Sequence, residues 1–116
     1  VAEAGKSDIT FDTREFKYAG YMRQLRRHIE GVWKYPEDAI ERNVYGDLFI
    51  TFTIRKDGSL GNVRLSRTSG FRSLDDAALT ALRNSAPFWP LPEWWEEDGL
   101  TINGHFIYTL SGQYVR

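Results

Sequence analysis

Cysteine is absent from this chain, which excludes disulfides and thiolate metal sites but leaves the redox compartment open. Net charge is nearly absent as well. At a formal -1 there is no electrostatic reason to expect nucleic acid or an acidic membrane surface as a partner. No apolar run reaches the length that a bilayer requires, no signal peptide is present and the first residue is not Met. The chain is therefore expected to be a piece of a longer protein, with any anchor or address upstream. Histidine is scarce: His28 and His105 are the only two, on different elements and without HxH or HExxH spacing, so no metal site is expected. There are no internal repeats.

Residues suited to catalysis are equally few. Asp75-Asp76 are adjacent carboxylates, but neighbours on a helix point about 100° apart, and both sit where a helix start favours acids. Ser69-Gly70 lacks the nucleophile-elbow context and the Gly-Lys pair of a phosphate loop. The basic cluster Arg23, Arg26 and Arg27 reads as a solvated helix face. No catalytic residue and no cofactor are assigned, and the chain is not read as an enzyme.

What remains is a chain of 116 residues, 41% hydrophobic and 27% charged, which describes one globular domain. Residues 1–17 read as a linker end and N-terminal extension, with the docking of Phe11 and Phe16 left open, and residues 18–116 as the domain. Tyr18, Tyr21, Met22, Leu25, Ile29, Val32 and Trp33 follow the spacing of an amphipathic helix, which Tyr35-Pro36 ends. Pro36 opens a short second helix over residues 36–42. Leu48, Ile50, Phe52 and Ile54 alternate with Phe49, Thr51 and Thr53 as a strand. Lys56-Asp-Gly-Ser59 is a turn, and residues 60–68 return as a second strand with Val63 and Leu65 inward. Ser73 is the expected N-cap of a third helix bearing the small-residue stripe Leu74, Ala77, Ala78, Ala81 and Leu82. Ala86-Pro-Phe-Trp-Pro-Leu-Pro92 is expected to run extended. Glu93-Trp-Trp-Glu-Glu-Asp98 is either a partner patch or a loop whose indoles cover the core.

The last strand organises the reading. Leu100, Ile102, Phe106, Tyr108 and Leu110 fall on one face, Thr101, Asn103, His105 and Thr109 on the other, and only Ile107 breaks the polar side. The predicted fold is α+β, in the order α-α-β-β-α-β: a three-stranded antiparallel sheet with helices packed on one face. A late strand with one wet face is expected at the sheet edge, with backbone groups open to a second chain. Binding by strand addition then uses the edge backbone for affinity and flanking side chains for selectivity. An edge that is merely tolerated accounts for the pattern equally well.

An ordered series of short motifs carries a resemblance. Trp33-Lys-Tyr-Pro-Glu-Asp-Ala39, Gly46-Asp-Leu-Phe-Ile-Thr-Phe-Thr-Ile54, Asp57-Gly58, Val63, Ser69-Gly70, Leu74-Asp-Asp-Ala-Ala-Leu79 and Ala86-Pro-Phe-Trp-Pro-Leu-Pro92 together resemble the C-terminal domain of TonB-family energy transducers. The resemblance runs from about residue 18 to residue 110. It implies a periplasmic domain, anchored in the inner membrane in the full-length protein and driven by an ExbB–ExbD-like proton motor. It implies that the Ton box peptide of an outer-membrane transporter adds as a strand along Leu100, Thr101, Ile102, Asn103, Gly104, His105, Phe106, Ile107 and Tyr108. Lys34, Tyr35 and Pro36 would lie near the transporter. Trp89, Trp94 and Trp95 depart from the polar spacer of that pattern, and fit a different partner or a self-association surface. The alternative is a non-energised connector or self-associating module of the same fold, including a homodimer paired through the last strand.

Overall fold

A computed structural model describes residues 9–116, so the linker reading of residues 1–8 lies outside the described residues. The elements are α1 (Phe16–Val32), α2 (Glu37–Glu41), β1 (Gly46–Arg55), β2 (Leu60–Arg67), α3 (Arg72–Ser85), β3 (Gly99–Thr109) and β4 (Gly112–Val115). β1 forms because β-branched and aromatic residues alternate without a break. Its Leu48, Ile50, Phe52 and Ile54 are all fully buried, each stabilising by roughly 1.5–3 kcal/mol. The opposite side chains, Phe49, Thr51 and Thr53, keep partial access to solvent.

The sheet is antiparallel in the order β2-β1-β3-β4. β1 pairs with β3 without interruption, from Gly46 opposite Tyr108 to Arg55 opposite Gly99. Its ladder with β2 is shifted twice, between Phe49 and Ile50 and between Phe52 and Ile54. The β1–β2 turn is held by Asp57, whose carboxylate accepts from Ser59 N–H at 3.0 Å. Gly58 has φ +95°, and a Cβ there would meet the Phe88 carbonyl oxygen at 2.3 Å. Only glycine satisfies both conditions.

Both long helices lie on one face of the sheet. α1 buries Tyr18, Met22, Leu25 and Ile29, while Arg23 and Arg27 are exposed. α3 buries Leu74, Ala78, Ala81 and Leu82. His28 joins the two helices, donating from Nε2 to the Ser85 carbonyl at 3.0 Å. Phe11 and Ile9, ahead of the expected domain start at Tyr18, are packed in the core, whereas Phe16 is exposed. The tryptophans divide: Trp95 is buried against Tyr18 and Tyr21, while Trp89 and Trp94 are exposed. Lys56 collects the loop around Trp95 by donating to its carbonyl at 2.5 Å and to that of Glu97 at 3.3 Å.

Three expectations need correction. The sheet has four strands, and β3 is not its edge: a two-residue turn at Leu110-Ser111 sends the chain back as β4. At four residues, β4 is too short for its alternation to stand out. Leu110, expected on the buried face, is exposed because it forms the tip of that turn. Ser73 does not cap α3. The helix begins at Arg72 with Phe71 as its N-cap, and no side chain caps it. Asp75 instead reaches back across the preceding loop, accepting from the Thr68 hydroxyl and from Ser69 N–H.

At one end of the core, Trp33 Nε1 donates to the Tyr108 hydroxyl at 2.8 Å, and that hydroxyl donates to the Leu74 carbonyl at 2.8 Å. α1, β3 and α3 thus meet at one oxygen. Tyr108→Phe leaves a buried indole N–H and a carbonyl unpaired, so it is expected to lower unfolding free energy by about 1–3 kcal/mol. Urea denaturation checks this, and an unchanged midpoint at unchanged slope would refute it.

Candidate partner-binding strand

β3 has two unlike sides. Alternate residues of a strand direct their N–H and C=O groups to opposite neighbours. One set serves the unbroken ladder with β1. The other set faces outward, and among the described residues its partners come in two short pieces. Over the C-terminal half, Phe106, Ile107, Tyr108 and Thr109 pair with Val115, Tyr114, Gln113 and Gly112. His105 and Arg116 extend that pairing by exchanging N–H···O bonds of 3.1 and 2.9 Å. Further along, Ile9 forms a parallel bridge with Ile102, and its carbonyl accepts from Asn103 N–H at 2.9 Å. The open backbone edge expected along β3 is therefore covered at both of these places. β4 is tied to α1 as well: Val115 N–H donates to Glu30 at 2.9 Å and the Gln113 amide to the Trp33 carbonyl at 3.1 Å.

The side chains of residues 100–108 alternate as expected. Leu100, Ile102, Phe106 and Tyr108 point into the core, and Gly104 is also buried. Thr101 and Asn103 lie on the other face, bonded to Thr53 at 3.1 Å and Thr51 at 3.2 Å. Tyr35 stands edge-on to Tyr108 with ring centroids 4.9 Å apart, and its hydroxyl donates to the Val44 carbonyl at 2.5 Å. Burial pushes both phenols above their ordinary pKa. Pro36 caps α2, and Lys34 is exposed. Tyr35 also lines a shallow hollow with Ile40, Asn43, Leu110, Gly112 and Gln113. The Tyr-Pro segment thus meets the C-terminal end of β3. Leu100 and Thr101 lie at the other end, roughly 26 Å away at about 3.3 Å per residue. The expected residues form one line rather than one cluster.

One group was not singled out from sequence. On the helix-free face, His105 Nε2 donates to the Asp47 carboxylate at 2.6 Å, and Arg67 donates to the same oxygen at 2.8 Å. His105 stacks on Phe49 at 4.1 Å with the rings 8° from parallel, and the Arg67 guanidinium lies 4.7 Å from the centre of the same ring. The bond from His105, aided by the charge of Arg67, holds the Asp47 carboxyl below its ordinary pKa. The place of Phe49 on the face opposite Leu48 and Ile50 was legible, but the register bringing His105 and Arg67 opposite it was not. No cluster of three His, Cys, Asp or Glu side chains suited to a metal ion occurs among the described residues. No helix among them is long and apolar enough to cross a membrane.

Two helices on one face of an antiparallel sheet, with the long penultimate strand covered by a short last one, define an α+β domain whose fold is similar to TonB C-terminal domains. The solution structure of Helicobacter pylori TonB-CTD (residues 179–285) matches with a TM-score of 0.67 at 25% identity, covering 78% of this chain and 81% of that one. The Pseudomonas aeruginosa TonB CTD matches in fold, with a TM-score of 0.56 at 21% identity over 66% of this chain and 77% of that one. The chain belongs to the family described as Gram-negative bacterial TonB protein C-terminal, which matches residues 32–110. Protein TonB of Pasteurella multocida is 38% identical over 88 residues, 76% of this chain and 32% of that protein. Protein TonB of Haemophilus influenzae is 38% identical over 74 residues, 64% of this chain and 27% of that protein. The chain thus spans about a third or less of these relatives.

The Asp47 group generates a pH prediction. Its folded pKa is depressed, so the folded chain binds fewer protons than the unfolded chain. The resulting stability is complete above the ordinary value of 3.8 and is lost as pH falls below it toward the depressed value. The melting-temperature advantage of wild type over Asp47→Asn is therefore expected to shrink as pH is lowered from about 5 through 3.8. A constant difference across that range would show that the His105 and Arg67 contacts contribute nothing.

Proposed function

We propose that the chain is the partner-binding, C-terminal domain of a periplasmic TonB-type energy transducer. It takes the Ton box peptide of an outer-membrane transporter as an added strand on β3. Through the rest of the protein, anchored in the inner membrane, it passes on energy from an ExbB–ExbD-like proton motor for active uptake. Family membership supports the class. The observation that carries the strand assignment is the uneven hold on β3: a continuous ladder on its β1 side and, among the described residues, two short covers on the other.

A hydrogen bond exchanged for an equivalent one changes stability little, since its net worth is only about 0.5–1.5 kcal/mol. A peptide strand that displaces a short cover restores the bonds it breaks. The uninterrupted β1–β3 pairing then keeps the loaded strand attached to the domain under tension. Lys34, Tyr35 and Pro36, at the C-terminal end of β3, flank the peptide's path. Backbone pairing gives affinity with loose selectivity, which suits one domain serving several transporters.

A second reading, the connector or self-associating module, has one observation in its favour. β2 ends the sheet among the described residues, and an end strand is a site for pairing with a second copy.

The test is an NMR titration of the amide-labelled chain with Ton box peptides of transporters from the same organism. Shifts concentrated on residues 100–108 and near Tyr35 are expected. Amides there that stay unmoved at millimolar peptide, together with a dimer in sedimentation, would replace the transducer reading with the second one.

A further inference from the structure

We propose that Ile9-Thr10-Phe11 is a displaceable strand that holds the partner's place on β3, and that the recess it fills at Gly104 favours partner peptides bringing a large flat apolar side chain. This deepens the reading of β3 as the partner's strand and rests on it.

The segment pairs as a peptide ligand does. Ile9 lies parallel to β3 at Ile102 and takes the outward N–H of Asn103 at 2.9 Å. Two residues on, Phe11 is 2% exposed. Its ring centroid lies 5.9 Å from that of Phe52 and stands edge-on to Phe106 at 6.1 Å. Thr10, between them, is only partly buried, and its hydroxyl donates to Asp12 at 2.8 Å. The segment ends at once in a turn closed by Thr13 N–H to the Thr10 carbonyl at 3.2 Å. Among the described residues it meets β3 as an isolated bridge.

The recess exists because residue 104 is glycine. A Cβ there would sit 2.7 Å from Phe11 Cε2, so the Phe11 ring occupies space that any other residue would fill with its own side chain. Phe52 and Phe106 wall the space and make it apolar and flat.

Two consequences follow. One N–H cannot serve two strands in the same geometry, so a partner that pairs at Asn103 excludes Ile9. The partner's apparent affinity is then lowered by the fraction of chains in which the segment is bound. A partner that supplied backbone bonds alone would leave an apolar void behind the departed ring. One that brings its own aromatic or large aliphatic side chain refills it.

The experiment uses the 116-residue chain with Phe11→Ala, and Phe11→Leu, which keeps apolar bulk, in case alanine unfolds it. Ton box peptides are expected to bind Phe11→Ala about tenfold more tightly than wild type, with Phe11→Leu between. Peptides with an aromatic residue facing Gly104 should gain most, and Gly104→Ala should erase that preference. A natively folded Phe11→Ala that binds no more tightly overturns the inference and leaves the β3 reading intact. A second probe needs no transporter: a synthetic peptide of residues 6–15 added to Phe11→Ala. It should shift the amides of Asn103 and Gly104, whereas the same peptide with alanine in place of its phenylalanine should not. If Ton box peptides bind neither chain, the reading of β3 fails, and this second probe still decides whether the recess takes an aromatic strand. Equal behaviour of the two synthetic peptides would overturn it.

Discussion

The uninterrupted ladder between β1 and β3 is the constraint on which the rest of the structure depends. Its register puts Leu48 opposite Phe106, Phe52 opposite Ile102 and Ile54 opposite Leu100, so one row of apolar side chains faces the helices. A slip of one residue would turn that row to solvent, and the burial of the row makes such a slip prohibitive. The same register carries Tyr108 to Trp33 and Leu74, which locks both helices to the strand. It also places His105 over Phe49 on the far face.

With one side committed to β1, β3 is covered on its other side by shorter pieces of chain. The covers there are of different kinds. β4 is a hairpin return whose own N–H and amide groups bind Glu30 of α1 and Trp33 at its C-cap, so moving it disturbs the helix layer. The cover at Ile102 meets β3 through the Ile9 bridge, and its Ile9 and Phe11 side chains pack in the core. Exchange of strands is thermodynamically mild when bonds are replaced in kind, and the side chain that fills or fails to fill the space behind them then decides preference.

The long connection from α3 to β3 shows how irregular chain is kept in place. Gly58 lets the Phe88 backbone approach, with Phe88 N–H donating to the Gly58 carbonyl at 2.8 Å, and the Lys56 ammonium gathers carbonyls further on. Buried backbone groups need such partners wherever regular structure does not supply them. Trp95, delivered by this loop, then closes the core beside Tyr18 and Tyr21.

Much of this was legible because hydrophobic period reports local structure directly. The alternation in β1 and β3, the helical spacing in α1, the Asp57-Gly58 turn and the break at Tyr35-Pro36 each depend on residues a few positions apart. The motif series also placed the chain in its family. Other features depend on residues far apart, where period is silent. Ile9 and Phe11 read as extension because two apolar residues make no pattern, and their place in the core follows from the gap that Gly104 leaves. β4 was hidden by its brevity, and with it the fact that β3 is internal. Asp75 carried the signal of a helix start, but its carboxylate serves the loop before it. The sequence by itself determined the helices, the three long strands and which of their faces are apolar, since those are properties of neighbours along the chain. Only the tertiary structure decided which strand borders which and what covers the outer side of β3, because pairing and occlusion are set by packing between segments up to the length of the chain apart.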